Sequence, residues 1–170
     1  MNFVKTYAET AGINYIVVAS TTGKTGAKAS EVFKGFNVVV VTHHAGFDEP
    51  CINELTEKNR LEILKNGAQI LTATHALSSV ERAVRKKFGT IQPLELIANT
   101  LRRFGEGTQG CVEITLMGAG AGLIPIDQDI IAIDGSDKGA DTSLLIEPAN
   151  SSRFFDMKIK EIIAKPKDFE

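Results

Sequence analysis

The clearest chemistry in the sequence lies where an apolar run gives way to a short polar turn. Residues 16–19 are Ile-Val-Val-Ala, and the next six residues bring hydroxyl groups, a glycine and a lysine: Ser20, Thr21, Thr22, Gly23, Lys24 and Thr25. Hydroxyls donate hydrogen bonds, and the lysine adds a full positive charge. A helix that starts here would also point its first N–H groups outward. The pattern therefore indicates an anion site, with phosphate as the expected anion.

The same turn has two other interpretations, and residues 105–110 carry a similar glycine motif. The turn also fits an ordinary helix start with a solvated lysine, but threonines and a lysine directly after a buried strand favour the anion site. A P-loop is excluded, because its first glycine would fall at Val18. Residues 105–110 match GxGxxG, yet a predicted helix precedes them, so we expect a turn between helices with no cofactor role.

All three histidines of the chain follow predicted strands. Thr42, His43 and His44 follow one apolar run, and Thr74 and His75 follow the next. Each histidine either hydrogen-bonds a ligand or is satisfied by nearby backbone. We favour no metal site, because adjacent histidines are expected to point in different directions and no carboxylate is spaced to complete one.

One predicted apolar helix carries three further residues of interest. Glu113 is either a desolvated carboxylate suited to proton transfer or the one residue of its turn that faces water. Met117 belongs to the candidate site, although methionine at such a position is usually core. Cys111 is either a reactive thiol of lowered pKa at a helix start or, as we favour, a buried structural thiol.

Helical and extended patterns alternate along the chain. We predict strands at residues 16–19, 38–41, 68–73, 129–134, 142–147 and 157–163, and helices at residues 3–11, 26–33, 50–66, 78–88, 93–104 and 108–117. Such alternation predicts an open α/β sheet with helices on both faces, whose ligands bind beyond the carboxyl ends of the strands. The fifth strand follows a connection that fits a hairpin, so it is expected to run antiparallel. Residues 148–155 are predicted to be a loop.

Composition limits the class of protein. The chain has 170 residues, 43% of them hydrophobic, which predicts a single domain over residues 1–170. A net charge of −2 without a basic block argues against a nucleic-acid partner.

The longest apolar tract, residues 114–126, is too short and glycine-rich for a membrane span. Two cysteines without a CxxC pattern and no leader-like start favour the cytoplasm. The sequence names no partner face and leaves a homo-oligomer open.

Several motifs resemble a known family. Residues 16–25 resemble the turn of the pyruvate kinase C-terminal domain that grips a sugar phosphate, and residues 39–46, 71–77, 111–117 and 139–142 resemble stand-alone prokaryotic, often archaeal, proteins similar to that domain. The resemblance implies a three-layer α/β/α sandwich, with a mostly parallel sheet of order 3-2-1-4-5 and an antiparallel edge. It also implies flavin mononucleotide (FMN) as a bound ligand. The catalytic barrel of pyruvate kinase has no counterpart in 170 residues.

Three functional hypotheses follow from these observations. The leading one is a protein that binds a phosphorylated small molecule, namely FMN, at the carboxyl ends of its strands. The second is an enzyme acting on a phosphorylated metabolite, with His43, His44, His75 or Glu113 moving protons and no nucleophile identified. The third is a regulatory subunit that senses a phosphorylated metabolite.

Overall fold

The structure is a computed structural model that describes residues 1–169. Those residues form one six-stranded sheet, six α helices and one 3-10 helix. The strands are β1 (Tyr15–Ala19), β2 (Asn37–Thr42), β3 (Gln69–Thr72), β4 (Ile130–Asp134), β5 (Thr142–Glu147) and β6 (Lys158–Ala164). The helices are α1 (Asn2–Ala11), α2 (Lys24–Val32), α3 (Glu57–Lys65), α4 (Ser79–Phe88), α5 (Pro93–Arg102) and α6 (Glu106–Gly120), and the 3-10 helix is Ser151–Asp156.

The strand order is β3-β2-β1-β4-β5-β6. The first four strands in this order run parallel, while β5 is antiparallel to β4 and β6 is antiparallel to β5. Val17 at the centre of β1 pairs with Val39 of β2 and Ala132 of β4, and all three are fully buried. Strands covered on both faces need apolar residues at every position, which explains the continuous valine and isoleucine runs. The predicted order 3-2-1-4-5 and the antiparallel β5 are confirmed.

Two layers of helices cover the sheet. Alternate strand residues such as Ile16 and Val40 pack against α1, α2 and α3 on one face. The intervening residues, such as Val17 and Val41, pack against α6 on the other face. Helix α5 packs on the outer side of α6. The α/β/α sandwich is therefore confirmed, and α6 is as deeply packed as its composition predicted.

Some predicted boundaries were wrong. Helix α3 begins at Glu57 instead of Pro50, because the Thr56 hydroxyl accepts the Asn59 N–H and caps the helix there. Helix α2 begins at Lys24, two residues before the predicted start, so Lys24 lies in its first turn. Helix α6 extends beyond residues 108–117 at both ends, and the predicted loop at residues 148–155 contains the 3-10 helix. Among the described residues, no helix has both the length and the apolar character that crossing a membrane requires.

Candidate ligand-binding site

The β1–α2 turn, residues 20–25, has a backbone shape that suits an anion. Gly23 has φ of 87°, and a Cβ atom at this position would overlap Leu55 and Asn59. Glycine is therefore required both by the backbone conformation and by the close approach of α3. Within residues 1–169, the N–H groups of residues 21–25 donate to no protein acceptor. Successive free amides around a left-handed glycine form a concave donor group in which an anion fits.

Neighbouring side chains hold this turn in place. The Ser20 hydroxyl accepts the Gly26 N–H at 2.9 Å, so Ser20 acts chiefly as an internal cap. The Thr22 carbonyl accepts the Asn59 side-chain amide at 2.8 Å and the Thr56 N–H at 3.3 Å. Because the carbonyl oxygen is bound to the start of α3, the turn is fixed before any ligand arrives.

A cavity of about 1150 Å³ opens at the carboxyl ends of the parallel strands. Its volume is somewhat above the roughly 300–1,000 Å³ that is typical of small-molecule sites. Most predicted site residues line it: Ser20, Thr21, Thr22, Lys24, Thr25, Thr42, His43, His75, Glu113 and Met117. Gly23, His44 and Thr74 do not line the cavity. Thr42 is buried, and its hydroxyl lies 2.6 Å from the Thr72 hydroxyl.

Four rings gather beside the cavity, and we call them the ring cluster: His43, His44, Phe47 and His75. His75 stacks on Phe47 with centroids 5.1 Å apart, and it lies 5.4 Å from His43 and 5.2 Å from His44. The rings of the adjacent residues His43 and His44 both lie beside His75. No group of three or more His, Cys, Asp or Glu side chains within residues 1–169 is arranged to hold a metal ion.

His43 connects the ring cluster to the β1–α2 turn. Its Nδ1 atom lies 2.9 Å from the Glu54 carboxylate, and its Nε2 atom lies 3.4 Å from the Thr21 hydroxyl. The Asn53 amide donates to the His43 carbonyl at 2.9 Å. The loop before α3 therefore fixes His43 against the turn that supplies the free amides.

Glu113 is buried, so the interpretation that it faces water was wrong. Its carboxylate accepts the Leu77 N–H at 2.8 Å and the Gln109 side-chain amide at 3.2 Å. A Glu113 oxygen also lies 3.6 Å from Nδ1 of His75. Burial lowers the pKa of His75, and the Glu113 charge partly opposes that change.

Asp134 ends β4 and brings a second acidic group to the cavity. Burial raises its pKa to about 7; the Gly135 N–H opposes the rise, and the charges of Glu113, Asp141 and Glu106 reinforce it. The neighbouring thiol of Cys111 is fully buried within α6, and burial raises its pKa well above the ordinary value. Cys111 is therefore a structural thiol, as favoured from the sequence.

Several residues of this site were not predicted from the sequence. Phe47, Glu54 and Gln109 had no recognisable signal, because a loop and a helix–helix contact bring them in. Asp134 did have one, since it is a carboxylate at the carboxyl end of a predicted strand. Packing accounts for two of the three glycines of the GxGxxG match, since Gly107 lies against Thr142 and Gly110 against the Asp134 carboxylate. The third, Gly105, has φ of 107° and precedes the first residue of α6.

The strand order and the position of the cavity define the class of the molecule: an open, mostly parallel α/β domain with its site beyond the carboxyl ends of the strands. Residues 1–146 match the family described as "Pyruvate kinase, alpha/beta domain". The chain belongs to this family.

A solved structure is also similar to the chain: Cryptosporidium parvum pyruvate kinase in complex with ADP, at 16% sequence identity and a TM-score of 0.37. The alignment covers 95% of this chain and 22% of that enzyme. The chain thus spans less than a quarter of the length of the pyruvate kinase that it resembles.

Proposed function

We propose that the protein binds a phosphorylated small molecule whose phosphate lies on the β1–α2 turn. The observation that carries the proposal is the set of N–H groups at residues 21–25 that donate to no acceptor within residues 1–169, in a cavity that Thr21 and Lys24 also line. A phosphate dianion accepts hydrogen bonds from all three kinds of group, and the positive end of α2 favours its charge.

The rest of the cavity supports FMN as the ligand. FMN joins a phosphate to a planar aromatic ring system, and the ring cluster provides flat surfaces beside the turn. The guanidinium of Arg82 lies 4.9 Å from the centre of the Phe47 ring, which adds a cation at the edge of this surface. His43 contacts both the ring cluster and Thr21, so the phosphate and ring subsites adjoin.

Titration of the purified protein with FMN, followed by flavin fluorescence and calorimetry, tests the assignment. One equivalent of FMN is expected to bind. Lys24→Ala is expected to weaken binding about tenfold. A hydrogen bond to a charged group contributes roughly 1.5–3 kcal/mol, and because Lys24 is exposed to solvent the effect should lie at the lower end of that range.

The matched control is Lys34→Ala, which removes the same charge from an exposed residue outside the cavity lining. It should leave the affinity unchanged. A protein that does not take up FMN refutes the flavin assignment, and equal losses in the two lysine variants refute the placement of the phosphate. We also expect a cytoplasmic location, in keeping with the two free cysteines.

A further inference from the structure

A chain of polar contacts runs through the buried interface of α5 and α6 and ends at the ring cluster. Arg102 donates to the Gln109 side-chain oxygen at 3.0 Å, and the Gln109 amide nitrogen donates to Glu113 at 3.2 Å. The Leu77 N–H donates to the other Glu113 oxygen at 2.8 Å. Because Arg102 binds the oxygen of Gln109, only the NH₂ group of this amide faces Glu113. Both Glu113 oxygens therefore act as acceptors, as an ionised carboxylate does.

The Glu113 carboxylate lies beside the ring of His75. One Glu113 oxygen is 3.6 Å from Nδ1 of His75, longer than a hydrogen bond but close enough for strong electrostatic attraction. A nearby carboxylate favours the tautomer that carries its proton on the facing nitrogen. The other nitrogen, Nε2, has no hydrogen-bond partner within residues 1–169, and His75 lines the cavity.

We propose that His75 is the proton acceptor of the cavity, held by Glu113 and Gln109 as the neutral Nδ1–H tautomer with an unprotonated Nε2. Nε2 accepts a hydrogen bond from a donor group of the ligand, either a hydroxyl or an N–H. On transfer, the bond from oxygen or nitrogen to hydrogen breaks, its electron pair stays on the ligand, and an Nε2–H bond forms. The resulting imidazolium ion faces the Glu113 carboxylate, which stabilises it.

This role goes beyond phosphate binding and does not depend on it, because the ring state belongs to the protein without ligand. His75 is the residue that would touch the ligand, whereas Glu113 and Gln109 are positioning residues. The surroundings of His75 favour a neutral ring. Burial has the largest effect and lowers the pKa of His75, the Glu113 charge raises it, and the charges of His43, His44 and Arg82 lower it further.

Long-range ¹H–¹⁵N correlation spectra of the full chain at pH 7.5 test the proposal, with His75→Asn assigning the signals. The wild type should show a protonated Nδ1 and a bare Nε2 at His75. Glu113→Gln removes the carboxylate, which favours the Nδ1–H tautomer and also stabilises the protonated ring. The variant should therefore lose the single tautomer, and the pKa of the His75 ring should fall. Gln109→Leu, which keeps the Glu113 charge but breaks the contact chain, should raise the share of the Nε2–H form.

Glu95→Gln is the matched control, since Glu95 lines the same cavity but pairs with Arg85 outside the contact chain. It should leave the His75 signals unchanged. A wild-type ring that is an imidazolium ion at pH 7.5, or that carries its proton on Nε2, overturns the proposal even if the variants fail to fold. Titration of the Glu113→Gln variant with FMN distinguishes a failure of this proposal from a failure of the phosphate site, because the substitution does not alter the β1–α2 turn.

Discussion

Asp134 shows how position alone changes the chemistry of a residue. Its carboxyl lies at the end of β4 against α6, and burial raises its pKa to about 7. Near neutral pH it is therefore divided between a protonated form, which can donate a hydrogen bond to a ligand, and a charged form, which can only accept.

This raised pKa predicts a specific pH dependence of stability. The folded state holds the Asp134 proton up to about pH 7, while the unfolded chain releases it near pH 4. The contribution of Asp134 to the free energy of unfolding should thus fall as pH rises from about 4 to about 7. Asp134→Asn removes the buried charge, so it should raise the free energy of unfolding by about 1–3 kcal/mol at pH 8 and have little effect at pH 4. Denaturant unfolding at both pH values measures the difference.

Asp137→Asn is the control, because Asp137 is an exposed carboxylate of the adjoining loop and lines the same cavity. It should change stability by less than about 0.5 kcal/mol at either pH. If Asp134→Asn has the same effect at pH 4 and pH 8, the carboxyl of Asp134 does not hold its proton in the folded protein.

Among the helices and strands, α6 determines how closely the residues of β4 and β5 can approach it beside the cavity. Gly110 allows the Asp134 carboxylate to lie directly against the helix backbone, and a Cβ atom there would overlap that carboxylate. Gly107 does the same for Thr142 of β5. The glycine-rich composition of α6 thus serves close packing of helix on sheet at the edge where the cavity opens.

Gly110→Ala should therefore destabilise the fold by about 1–3 kcal/mol, because Asp134 must move to make room for the methyl group. Gly120→Ala provides a comparison within the same helix, since no atom lies within 4 Å of its added Cβ atom. That variant should be as stable as the wild type or more so. Equal melting temperatures for the two variants would contradict this account of α6.

The elements differ in how well the sequence specifies them. Buried parallel strands such as β2 were predictable because both faces require apolar residues. Placing the histidines after predicted strands assigned them to one edge of the sheet, but it did not predict the contact between His43 and His75. The start of α3 was mispredicted, since Pro50 only permits a helix start whereas Thr56 supplies the cap. The contacts of Glu54 and Gln109 depend on the path of a loop and on helix packing, which periodicity does not describe.

At the scale of the whole molecule, three layers bring distant parts of the chain to one cavity. The β1–α2 turn supplies donors, the loops after β2 and β3 supply rings, and α6 with the end of β4 supplies carboxylates. Family membership fits this arrangement but does not name the ligand. We expect the phosphate of the ligand to lie on the β1–α2 turn and its ring system to lie elsewhere in the cavity.

Riboflavin has the ring system of FMN but lacks the phosphate, so comparing the two ligands tests this claim most directly. Their dissociation constants should be measured by calorimetry for the wild type and for Lys24→Ala. We expect wild-type protein to bind FMN at least about tenfold more tightly than riboflavin, and Lys24→Ala to weaken FMN alone. Equal affinity of the wild type for the two flavins, or an equal loss of affinity for both in Lys24→Ala, would show that the β1–α2 turn does not hold the phosphate.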